Sequence, residues 1–473
     1  MRLSFDPGFV ELRTAATTMA AVLASFFSAW GIESAAHLHT NVVVLAVMLA
    51  MQFGRSHRAP DRRGDVLGVL ILVFVSVATV GVGWLMLHVE WLGDSLYVLA
   101  ISFGIWIRRF GGRVRRAGTL LTLPFIALLV APAGPGFDAS HLLWNALIAI
   151  IATAWVLIFR WLALRGNVLT RRIGPPPELS ITRKGPESPT WSQRILPSTK
   201  LAVQMGLSLA LAFLVGRQLF GAHWPWVVIT AYVVAAANRG RAEVLHKSWQ
   251  RIVGALIGTV VATLIGTLFD AGEHLAVVLI FVVLGVATWL RAASYAIYAG
   301  TVTAGLAFLY AYQGQSGVSV LVERLEAILC GAAIAVLIAW FVLPIRFRDV
   351  ARRRIADALA VLSDYLTAAR HNQPEEVAAQ AKRFGDAMVL VEQLAPTLLV
   401  QGRLSRDPTH PVVLLNRLRD IAPAVATLTA EAADRPAVLT DPEIRTELVE
   451  LHETVTAARR ALRDSARRDG AQK

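Results

Sequence analysis

The side chains best suited to binding chemistry lie between residues 223 and 259. They are His223-Trp224-Pro225-Trp226-Val227-Val228-Ile229-Thr230, then Arg241, then Arg251-Ile252-Val253-Gly254-Ala255-Leu256-Ile257-Gly258-Thr259. A spacing of four puts Trp226 and Thr230 on one helix face, where an indole wall and a hydroxyl could meet a planar acid. Trp224 and Trp226 would serve equally well in an aromatic belt at a membrane surface. Gly254 and Gly258 also share a face, and they remove side chains where a second helix must come close, so packing rather than ligand contact is their expected role. Arg241 and Arg251 add positive charge. No phosphate-cradling glycine loop, metal-ligand spacing or placed nucleophile and base accompanies these residues, so neither an enzyme nor a cofactor is expected.

The elements that must hold these residues are membrane helices. Hydrophobic residues make up 55% of the 473, charged residues 17%, and the mean hydropathy is +0.55. That is too apolar for a soluble chain of this length, so a lipid bilayer is the expected surrounding. Twelve apolar segments can be placed, near 12–31, 38–53, 65–87, 93–107, 118–132, 141–160, 200–219, 223–237, 250–269, 275–290, 294–312 and 325–344. Several fall short of the roughly 20 residues of a perpendicular span, so loop residues should extend some helices. The stretch from Glu11 to Gly31 has no cleavage pattern and reads as a retained membrane helix. Cys330, alone of its kind, excludes a disulfide within the chain.

Charge sets the orientation. Arg55, Arg58, Arg62 and Arg63, then Arg108, Arg109, Arg113, Arg115 and Arg116, then Arg239, Arg241, Lys247 and Arg251 occupy alternate loops, which should face the cytoplasm together with both termini. Residues 346–473 hold 20 Lys+Arg and 18 Asp+Glu, leaving 26 and 15 to the first 345. Of those 26, all but Arg217 and Arg324 fall on the proposed inner side. A nucleic-acid-binding protein would gather its charge on one face instead, so no nucleic-acid partner is expected. Arg13 and Lys200 stand inside the first turns of helices at matching places in two halves, and are better candidates for anion contact than loop arginines. No Asp or Glu falls in the middle of a segment. An acid there costs roughly 3 kcal/mol or more, and a cation carrier would normally keep one as its counter-charge. Anions fit a basic inner mouth better.

The chain therefore divides into a first transmembrane half (1–160), a Pro-rich basic cytoplasmic linker (161–199), a second transmembrane half (200–345) and a cytoplasmic helical domain (346–473). Gly54-Arg55 recurs as Gly240-Arg241, and Gly68 as Gly254. Six helices per half would give the two repeats one orientation, related by an axis along the membrane normal. The last domain is expected to form four or five amphipathic helices, broken at Pro374, Pro396, Pro408, Pro411, Pro423, Pro436 and Pro442. Tyr298 with Thr301 and Gly305 lies on one side of the eleventh segment. His37, His39 and His223 gather at the proposed outer surface, where an imidazole could take up a proton.

The pattern from His223 to Thr259 resembles the fusaric acid resistance and aromatic acid exporter family of bacterial inner-membrane proteins. Trp226 and Thr230 stand where that family places its Trp and Thr, and Arg241, Arg251, Gly254 and Gly258 match its basic loop leading into a Gly-rich helix. The resemblance implies efflux of aromatic or related carboxylic acids. It also implies a fold shared with plant aluminium-activated malate channels, a homodimer, and a periplasmic accessory protein for the longer exporters, from which this chain departs in its short linker. A passive anion channel and a scaffold that recruits partners through residues 346–473 are the alternatives. Asp61-Arg62-Arg63-Gly64 is similar to a loop of the major facilitator superfamily, but the soluble tail and the Arg241 to Gly258 pattern argue against that reading.

Overall fold

A computed structural model describes residues 9–36, 41–54, 62–110, 112–130, 139–166, 197–236, 241–266, 274–291, 294–312, 318–343, 347–404 and 411–471. The chain forms two compact units that divide at Pro344 and Ile345. Among the described residues every regular element is helical.

The first unit contains α1 (Val10–Ala36), α2 (Asn41–Gly54), α3 (Arg62–His88), α4 (Glu90–Trp106), α5 (Gly112–Val130) and α6 (Ala139–Arg165). It continues with α7 (Pro197–Leu219), α8 (Trp224–Ala235), α9 (Arg241–Gly266), α10 (His274–Leu290), α11 (Tyr295–Tyr312) and α12 (Val318–Phe341). Each of the twelve apolar segments coincides with one of these helices. Six contain stretches long and apolar enough to cross a membrane: α1, α3, α6, α7, α9 and α12. α5, α8 and α10 are apolar but shorter.

Two boundaries differ from the sequence expectation, and both matter for the site. α9 begins at Arg241, so Arg251, expected at a helix end, lies nearly three turns inside. α12 begins at Val318, so Arg324, assigned to an outer loop, is a helical residue 4% exposed. In both cases amphipathic turns carrying charge extend an apolar run, and their polar side chains hid the continuation from a hydropathy reading.

Packing pairs the helices in a recurring way. α1 meets α2 and α6, α2 meets α6, α3 meets α5 and α6, and α4 meets α5. Adding six to every label gives further observed pairs: α7 with α8 and α12, α8 with α12, α9 with α11 and α12, and α10 with α11. α4 packs on α7, and α1 on α10. The α4–α7 seam is bolted by Arg217, whose Nε and one Nη donate to Asp94 at 2.6 and 2.8 Å, with Glu90 at 3.2 Å. Around it Tyr97 packs edge-on against Phe125 and Phe213. A purely apolar interface between helices gains little from hydrophobicity in lipid, so such polar contacts and close packing must join them.

The second unit contains α13 (Phe347–Arg370), α14 (Pro374–Glu392), α15 (Ala395–Leu404), α16 (Pro411–Asp434) and α17 (Pro442–Ala471). Ile355, Leu359, Leu362 and Leu366 form the buried stripe of α13. Pro374, Pro411 and Pro442 open their helices, where the missing N–H is not needed. Pro423, expected as a break, instead lies inside α16, and Pro396 is the second residue of α15. Pro408 lies outside the described residues. Arg419 of α16 clasps Glu392 of α14 through Nε and Nη, both at 2.7 Å.

Candidate functional site

α8 supplies the site's aromatic wall because it is apolar nearly all round: nine of its residues are buried, from Pro225 to Val234. Pro225 at its first turn sets the helix start, and a 3-10 turn, Gly221–His223, feeds into it. On one side α8 faces α12, where Gly331 lets the strand of backbone around Val227 and Thr230 come into contact. Trp226 donates its indole N–H to the Tyr310 hydroxyl at 3.0 Å, and the two rings meet edge to face at 5.3 Å.

Arg324 completes this corner. Its guanidinium lies 5.4 Å from the Trp226 ring and 5.9 Å from the Tyr310 ring, and one Nη donates to the Thr303 carbonyl at 2.9 Å. Thr303 is the ninth of the eighteen residues of α11, so the charge is delivered halfway along that helix. Among the described residues no carboxylate pairs with Arg324. The neighbouring Glu323 turns away to His223, with Nδ1 to Oε2 at 2.6 Å, and the His223 ring stacks on Trp226 at 4.5 Å. The Thr230 and Thr303 hydroxyls are both fully buried, and among the described residues neither has a hydrogen-bond partner. Arg251 is 5% exposed with its Nε unpartnered, and its positive charge acts on Arg324. Tyr295, half-buried with its hydroxyl enclosed and unpartnered among the described residues, lies within electrostatic reach of Arg251.

The glycines hold this arrangement closed. A Cβ on Gly254 would collide with the Ala296 carbonyl and meet the Gly300 nitrogen at 2.9 Å, and one on Gly258 would collide with the Gly300 carbonyl. α9 and α11 therefore touch backbone to backbone, which carries Arg251 and Thr303 into the same interior.

The sequence-selected residues thus separate. Trp226, Thr230 and Arg251 are buried in the unit that holds Arg324, and His223 caps its ring wall. Tyr298 lies elsewhere, half-buried beneath Arg291 at 5.6 Å, while Tyr310 of the same helix is the residue that meets Trp226. Arg13 is exposed and Lys200 half-buried, each the fourth residue of its helix, α1 and α7. Arg241 opens α9, its side chain outside the description, and His37 lies outside the described residues. Arg324, Thr303 and Tyr310 were not selected as a site. The available signal was Val318 to Leu325, whose apolar residues continue the periodicity of α12 toward its start.

Helices of this apolarity around a buried cation define a multi-pass membrane protein. Residues 207–338 match the family model described as fusaric acid resistance protein-like, a family whose members are membrane transporters. No curated protein and no solved structure matches the chain.

Proposed function

We propose that the protein exports organic anions, aromatic carboxylates foremost, from the cytoplasm across a bacterial inner membrane. Twelve helices in two repeats of like orientation, with both termini inside, would form the path. The recurrence of helix pairings at an offset of six supports this arrangement, as does the placement of the longest apolar helices first, third and sixth in each half.

The observation that carries the reading is Arg324. A guanidinium in a low-dielectric interior is costly unless an opposite charge or several hydrogen bonds compensate it. Two ring faces and one carbonyl do so only in part, and a carboxylate would accept the remaining N–H groups in the paired geometry that guanidinium favours. Trp226 would then flank an aromatic ring, with the Thr230 and Thr303 hydroxyls as further donors. Arg251 raises the positive potential in the same interior. Among the described residues no acid competes for these groups at that depth: Glu323 is held by His223, and Glu326, one turn along α12 from it, is exposed. Arg13, Lys200 and the basic loops would concentrate anions at the cytoplasmic mouth. The His223–Glu323 pair, above the Trp226 ring, is the place where proton uptake would couple to release on the outer side.

Proteoliposomes loaded with a panel of aromatic carboxylates, with and without a pH gradient, test the proposal. Protein-dependent efflux that follows the gradient is the expected result. Efflux at rates above carrier turnover and indifferent to pH would identify a channel, and no movement of any acid would refute anion export.

A further inference from the structure

A second cation, half-buried but with its Nε enclosed, lies on the other side of α8, which α5 packs against. Arg108 and Arg109 are adjacent in the 3-10 turn that follows α4, yet they do different things. Arg109 is exposed and stacks on Trp106 at 3.9 Å and Phe110 at 4.5 Å, as a basic residue at a membrane surface does. Arg108 turns inward. Its Nε is buried without a hydrogen-bond partner, and one Nη reaches the Thr122 hydroxyl of α5 at a long 3.4 Å. The Tyr232 hydroxyl of α8 is the other polar group within its reach, and among the described residues no carboxylate pairs with it. Along α4 from Arg108, Tyr97 is fully buried, its hydroxyl has no partner, and it lies within electrostatic reach of Tyr232. Retention of positive loops on the cytoplasmic side accounts for Arg109 but not for a neighbour that leaves the surface for a seam lined with hydroxyls.

We propose that Arg108, Tyr232 and Tyr97 form a second anion site, beside α8 where α5 packs against it. It takes the carboxylate group of the transported acid before that group reaches Arg324. The proposal rests on the anion-export reading and extends it to a path with two stations on opposite sides of α8. The two sites differ in chemistry. Around Arg324 the neighbours are ring faces, so that site distinguishes an aromatic acid from a small one. The groups that reach Arg108 are hydroxyls, which recognise the carboxylate and are indifferent to what it carries. Acetate should therefore compete with benzoate at the Arg108 site and poorly at the Arg324 site.

The test is benzoate transport by the full chain in proteoliposomes, comparing the unaltered protein with Arg108→Gln, Arg108→Lys and Arg324→Gln, each checked for an unchanged melting temperature. Arg108→Gln should raise KM on the cytoplasmic face about tenfold with a much smaller change in kcat, Arg108→Lys, which keeps the charge without the paired N–H groups, should recover only part of the loss, and acetate should lose its potency as an inhibitor in Arg108→Gln. An unchanged KM in Arg108→Gln, while Arg324→Gln abolishes transport, would overturn the second site and leave anion export standing. A lowered melting temperature in both Arg108 variants with KM unchanged would assign Arg108 to packing. Failure of the unaltered protein to move benzoate would remove both.

Discussion

Arg324 is held by weak partners. Cation–π contact is worth about 2 kcal/mol when desolvated, and one hydrogen bond to a carbonyl adds a similar amount, against a desolvation cost of several kcal/mol. Removing the charge therefore need not destabilise the fold, which separates function from stability at this position. Arg324→Lys should recover little transport, because an ammonium cannot offer paired N–H groups to a carboxylate and is more strongly hydrated. Transport of benzoate by the two variants, Arg324→Lys and Arg324→Gln, checks this: near-complete recovery in the lysine variant would mean that charge alone suffices. Trp226→Phe keeps a ring but loses the N–H bonded to Tyr310, and a severalfold loss of benzoate affinity with acetate affinity unchanged is expected. At this scale the sequence was partly readable. Trp226, Thr230, Gly254 and Gly258 stand out by spacing, whereas Arg324 sits between Glu323 and Leu325 in a stretch whose charge resembles a loop. Only the tertiary contacts reveal that the guanidinium points into the bundle while both glutamates stay outside.

Elements carry the next set of consequences. α9 and α11 touch through Gly254, Gly258 and Gly300, so a larger side chain must push two backbones apart. Gly258→Val should cost about 1–3 kcal/mol and lower the melting temperature in detergent, whereas Gly31→Ala, where an added Cβ meets nothing, should change it little. In the second unit, burial pushes the Tyr365 hydroxyl above the ordinary tyrosine value of 10.0, with the hydrogen bond from Thr429 acting in the opposite direction. A raised value means that the folded form holds its proton more tightly. That stabilisation is fully present below pH 10 and is lost as the pH rises through the folded-state value. Thermal melts of this unit should therefore decline above about pH 10, and Tyr365→Phe should flatten that decline. An equal decline in the variant would place the cause elsewhere. The helices themselves were legible because apolar runs and proline punctuation are local signals. Their ends were not: α9 and α12 each begin before the apolar stretch, and Pro423 is accommodated within α16 on its exposed face, between the buried Leu418 and Val425.

In the membrane unit several helix pairings recur at an offset of six, and the first six helices meet the last six along α4–α7, α1–α10 and α5–α8. The first seam is fastened by Arg217 with Asp94 and Glu90, so Asp94→Ala should leave Arg217 only the exposed Glu90 and the Met86 carbonyl, and destabilise the membrane unit more than removal of both the Arg217 and Asp94 charges together. Gly54-Arg55 and Gly240-Arg241 hint at the recurring pairings, but contacts between distant helices have no local signature, and none of the seams could be inferred from composition. Orientation follows from charge: in a Cys330→Ser background, a cysteine at Arg113 should react with an impermeant reagent from the cytoplasmic face alone. The central claim is that a buried arginine without a carboxylate of its own holds the acid being moved. It is tested most directly by measuring equilibrium benzoate binding to the purified full chain and to Arg324→Gln at matched thermal stability. Affinity at least tenfold weaker in the variant is the predicted result, and equal affinity in the two proteins would contradict it.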